Sequence, residues 1–70
     1  METELFKELG FTDREIKVYL ALLGLGSTTV GPITSKTKLQ AAKVYETLEK
    51  LKEKGLVSFT IVSKTKYFQS

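Results

Sequence analysis

The chain has no cysteine, no histidine and no tryptophan, and only one proline (Pro32), one aspartate (Asp13) and one arginine (Arg14) among its 70 residues. Without cysteine there are no disulfides to staple a small fold, and without histidine as well a zinc site would have to be built from carboxylates alone, so no metal is expected. Catalysis loses its usual parts too. Asp13 stands in what reads as a helix's first turn, where it serves the helix dipole, and no nucleophile has an evident activating base. The expectation is a protein that is not an enzyme and needs no cofactor. Long apolar runs are also missing. The longest, "VYLALLGLG", falls far short of the roughly 20 residues that span a bilayer. Glu2 and Glu4 stand where a signal peptide would carry lysines, so a soluble, cytoplasmic protein with no membrane partner is expected.

What is present is ordinary globular material, 41% hydrophobic and 27% charged. Residues 1–70 suffice for a single domain. A chain of this size buries only about 60% of its unfolded surface, so its core is small. Charge is unevenly placed. Three cationic residues oppose five acidic ones in 1–35, a net −2, whereas eight lysines oppose three glutamates in 36–70, a net +5. A basic half of this kind points towards a polyanion.

Punctuation along the chain is clear at its start. Leu5, Phe6 and Leu9 form a short first helix that stops at Gly10. Thr12 and Glu15 then have the spacing of a capping box, with Phe11 and Ile16 at the positions of a hydrophobic staple, so a second helix begins at Asp13. Ile16, Tyr19, Leu20 and Leu23 recur at i, i+3, i+4, i+7, and Val18 and Leu22 widen the stripe. A third, weaker helix is expected from about Val30 to Lys36. Pro32 is tolerated in its first turn if Thr28 or Thr29 caps it.

"KLQAAKVYETLEKLKEKGLV" (38–57) is the strongest periodic stretch, a long helix closed by Gly55. Ala41, Val44, Tyr45, Leu48 and Leu51 are predicted to face inward, and Glu46 to pair with Lys50 at i, i+4. "LVSFTI" and "KYFQ" follow as β-rich runs around "VSKT", which predicts a hairpin whose loop has no glycine. Its aromatic residues Phe59, Tyr67 and Phe68 are expected to pack on helices, and Tyr19 and Tyr45 to lie in the core.

A short helix, a tight turn, a longer helix and then a hairpin is the helix-turn-helix with a wing: an α+β fold of three to four helices followed by a β-hairpin. Its function would be sequence-specific binding of double-stranded DNA by a transcriptional regulator. The recognition helix, about 40–54, would enter the major groove, and the wing, about 56–69, would lie on the backbone. Gln40 would read adenine, Lys43 would donate to guanine or a phosphate, and Ala42 would meet a thymine methyl, with Thr47 a turn further on. Lys36, Thr37 and Lys38 in the turn, Lys50 on the helix, and Lys64 and Lys66 in the wing would contact phosphates.

"LFKELGFTDREIKVYLALLGLG" followed by "KVYETLEKLKEKGLV" resembles the N-terminal winged-helix DNA-binding domain of the TrmB-like transcriptional regulators, which are mainly archaeal. The likeness runs from about Leu5 to Phe68, and winged helices of the MarR and ArsR types share portions of it. It implies a regulator that binds operator DNA, usually as a homodimer. Longer family members carry a C-terminal sensor domain, often for sugars, which this stretch of chain does not include. The sequence departs from the family pattern at Lys38, where glycine is common, and at Gln40 and Ala41, where proline and arginine are. A lysine forced to positive φ there would be strained. The alternative reading, from a different class, is a winged helix used for protein–protein interaction or dimerisation without specific DNA binding.

Overall fold

The computed structural model describes residues 2–70, with side chains from Leu5 onward. Glu2 and Glu4, counted above for their charge, have side chains outside the described residues. The helices are α1 (Glu2–Glu8), α2 (Asp13–Leu25), α3 (Val30–Thr37) and α4 (Ala41–Glu53), followed by the strands β1 (Ser58–Val62) and β2 (Thr65–Gln69). The architecture is a winged helix-turn-helix.

The capping box forms as its spacing predicts. Glu15 N–H donates to Thr12 Oγ1 at 3.1 Å, and Thr12 N–H donates to Glu15 Oε1 at 3.0 Å. Two helices stop in the same way. Gly10 and Gly55 adopt φ of 94° and 80°, and the following amides, of Phe11 and Leu56, reach back to the carbonyls of Phe6 and Leu51, each at 3.0 Å. These are Schellman closures, in which positive φ at the glycine satisfies carbonyls that the helix end leaves open.

Val18 and Leu22 of α2, Val30 and Ile33 of α3, Val44, Leu48 and Leu51 of α4, and Val57 and Phe68 form one buried cluster. The inner face of α2 is therefore centred on Val18 and Leu22. Of the expected stripe, Ile16 is buried and Tyr19 packs against this cluster beside the seven-residue α1, which covers the rest only in part. Phe6 meets Tyr19 edge-on with ring centroids 5.7 Å apart, while Leu20 and Leu23 stay exposed. On α4 the inner face is Val44, Thr47, Leu48 and Leu51. Ala41 and Tyr45, expected inside, are exposed, because the core fixes the helix rotation on Val44, Leu48 and Leu51 at i, i+4, i+7.

The hairpin pairs antiparallel from Ser58–Gln69 to Val62–Thr65. That register leaves a two-residue loop, Ser63 and Lys64, and both take positive φ, 51° and 66°. Positive φ at both loop residues is the type I′ pattern, whose twist matches the strands even without the usual Asn-Gly. A further connection spans the chain. Thr28 and Phe68 exchange two backbone hydrogen bonds, of 2.9 and 2.7 Å, joining the α2–α3 connector to β2.

Candidate nucleic-acid interface

Helix α4 begins at Gln40, an N-cap in extended backbone whose side chain makes no cap hydrogen bond. Among the described residues its side-chain amide has no hydrogen-bond partner. Ala41 and Ala42 beside it are exposed and small, which permits close approach of a partner, and Lys43 and Lys50 are exposed on the same helix. No carboxylate among the described residues forms an ion pair with either lysine.

Two threonines expected at the interface are not there. Thr47 is buried, and its hydroxyl donates to Lys43 O at 2.7 Å. Thr37 is buried too: its hydroxyl donates to Ile33 O at 2.7 Å and accepts from Leu39 N–H at 3.3 Å. Both occupy inward helix positions and satisfy their hydroxyls on the carbonyl four residues back. Neither is available to DNA as placed, so the base-reading role of Thr47 and the phosphate role of Thr37 are corrected to structural ones.

The remaining turn residues are at the surface. Lys36 is exposed with its ammonium over Gly24, near the C-terminal end of α2. Lys38 is the C-cap of α3 at φ 63°, ψ 22°, so the strain expected of a non-glycine residue there is realised. Its N–H donates to Thr34 O at 2.7 Å, which closes the helix and leaves its side chain exposed.

The wing lies against the flank of α4. Tyr45 meets Phe68 with centroids 6.4 Å apart, and Lys52 Nζ stands 4.9 Å from the Phe59 ring. Lys66 sits over the same ring at 4.4 Å and over Phe68 at 5.8 Å, cation–π contacts that aim an ammonium with no ion-pair partner among the described residues. Lys64 stands at the hairpin tip. Tyr45, 53% exposed between helix and wing, is a candidate contact that the sequence assigned to the core. Its position about 100° round the helix from Val44 was the available signal.

Ion pairs rearrange the acidic residues. Glu46 pairs with Arg14 of α2 at 3.5 Å, not with Lys50, and Glu49 pairs with Lys52 at 3.0 Å. A depression of about 340 Å³ lies between the first turn of α2 and α4, lined by Arg14, Glu46, Thr47 and Lys50 among others. At its base Glu15 is buried and accepts from Lys54 Nζ at 2.9 Å. Burial alone would raise its pKa, but the Lys54 ammonium, the Thr12 amide and the charge of Lys50 outweigh that and hold it below its ordinary 4.5. No group of residues suited to a metal occurs among the described residues, and none of their helices is long and apolar enough to cross a membrane.

Comparison with known proteins bears on this geometry. The sequence model of a family described as "sugar-specific transcriptional regulator TrmB" matches residues 5–69. Among solved structures the chain is similar to Bordetella bronchiseptica BpsR, whose DNA binding is regulated by 6-hydroxynicotinic acid, with a TM-score of 0.81 and 20% identity. The match covers 84% of this chain and 44% of that one, so the likeness is one of fold and the chain spans less than half of BpsR's length.

Proposed function

The chain belongs to the TrmB family of transcriptional regulators, and from that premise we propose that it binds double-stranded DNA sequence-specifically, with α4 in a major groove and the β1–β2 wing on the adjacent backbone. The observation that carries this is the outer face of α4: a free Gln40 amide, two exposed alanines and the lysines Lys43 and Lys50, with a lysine-bearing wing packed alongside. Gln40 reads adenine bidentately, Lys43 donates to guanine, and Ala42 meets a thymine methyl. Lys36, Lys38, Lys50, Lys64 and Lys66 hold phosphates, and the Tyr45 hydroxyl joins them at the corner between helix and wing. Titration of labelled duplexes selected from a random pool, against scrambled controls and across a salt series, tests it. Tight, sequence-preferring binding is expected, with log affinity falling against log salt by about 0.9 for each phosphate held. Weak binding without preference at low salt rejects it.

A second surface favours association with a second copy of the chain. Leu5, Leu9, Leu20 and Leu23 of α1 and α2 are exposed, Leu9 by 67% and Leu23 by 50%. Large apolar side chains at this density mark contact surfaces. The homodimer expected from the family resemblance would bury them, leaving α4 and the wing free.

A further inference from the structure

We propose that Glu46 selects cytosine at one position of the bound site, with Arg14 as its positioning residue; this deepens the DNA-reading role of α4 and rests on it. The fully buried Val44, Leu48 and Leu51 define the inner line of α4. At about 100° per residue, Glu46 lies about 160° round from Val44, on the outward ridge with Ala42 one turn earlier. Ala42 offers only a methyl group, so when this ridge enters a groove the first polar group beyond it is the Glu46 carboxylate.

An ionised carboxylate only accepts hydrogen bonds. In the major groove the base-edge donors are cytosine N4 and adenine N6, and N6 lies beside N7, an acceptor that repels the same carboxylate. Cytosine has no acceptor of its own there. The phosphates disfavour any anion in the groove, and Arg14 offsets this. It reaches from the first turn of α2 to Glu46 Oε1 at 3.5 Å, and Oε2 has no protein partner among the described residues. Glu49 differs, being engaged by Lys52 of its own helix. A half-exposed ion pair such as Arg14–Glu46 stabilises a fold only slightly. Its effect on where the carboxylate points is the larger one. Lys43, three residues before Glu46 on the same helix, supplies the complementary donor for guanine O6 and N7, so the two side chains together suit a G·C pair or its neighbour.

The test is selection from a random duplex pool by the chain and by Glu46→Gln, Glu46→Ala and Arg14→Ala, followed by titration of the enriched sites. The chain is expected to enrich cytosine in one column of its site. Glu46→Gln moves that column towards adenine, Glu46→Ala flattens it, and replacing the cytosine costs the unaltered chain about tenfold in affinity but the alanine variant almost nothing. Arg14→Ala reduces the cytosine preference several-fold, and an unchanged preference removes Arg14 from the proposal. A wild-type motif that Glu46→Ala leaves unaltered in every column overturns the role of Glu46 while leaving DNA reading by α4 intact. If the wild type enriches no sequence at all, both fall.

Discussion

Single side chains at the base of this interface do structural work that chemistry can isolate. Thr37 spends its hydroxyl on Ile33 O and Leu39 N–H, so Thr37→Val, which keeps the shape and removes both bonds, is expected to lower stability by about 1–2 kcal/mol in urea unfolding. The salt dependence of DNA binding by the folded variant should not change, because no phosphate contact is lost. Glu15 gives a pH signature. Its folded pKa lies below the ordinary 4.5, so the stability it contributes is fully present above that value and is lost as pH falls through the folded one. Glu15→Gln retains an acceptor for the capping box but removes the ion pair with Lys54. Its stability deficit, about 1 kcal/mol near pH 7, should shrink progressively below pH 4.5. A deficit of the same size at pH 3 would show that packing rather than charge is responsible.

At the scale of elements, the two tight connections hold non-glycine residues in left-handed backbone. Lys38 closes α3 at φ 63°, and Ser63 and Lys64 turn the wing at 51° and 66°. Lys38→Gly should relieve about 1 kcal/mol of strain, a rise of roughly 4–8 °C in melting temperature for a chain of this size, while weakening DNA binding at every sequence alike. A variant that melts lower would show the lysine to be better accommodated than its φ implies. Local elements were legible in the sequence where their partners are near neighbours: the capping box of Thr12 and Glu15, the stops at Gly10 and Gly55, the third helix through Pro32. Rotation of a helix was less so. Tyr45 and Ala41 count as apolar, yet tertiary packing set α4 on Val44, Leu48 and Leu51. Thr37 and Thr47 count as polar, yet at inward positions their hydroxyls bond the preceding turn. Within the candidate site, Gln40, Ala42, Lys43 and Lys50 stand at the surface as expected, whereas Arg14 meets Glu46 across 31 intervening positions that no local pattern connects.

For the molecule as a whole, the surface leucines and most of the lysines lie on different elements. The wing and α4 with its C-cap Lys54 carry six of the ten lysines, together with the exposed Tyr45, Ile61 and Val62, whereas α1 and the outer face of α2 carry Leu5, Leu9, Leu20 and Leu23. If a second copy covers the leucines, Leu9→Glu with Leu23→Glu should turn a dimer into a monomer in sedimentation equilibrium while the fold persists, since neither residue belongs to the buried cluster. Binding to a two-half-site duplex should then weaken far more than binding to a single half-site. A wild-type chain that sediments as a monomer at high concentration would exclude this use of the surface. The paired amides of Thr28 and Phe68 have a mechanical consequence. They rivet the base of the hairpin to the connector between α2 and α3, so the arm free to bend is only the stretch from Thr60 to Tyr67, about 10 Å of ladder plus its tip. A finger that short is stiff, and any tilt of the connector is handed directly to the Ser63–Lys64 tip.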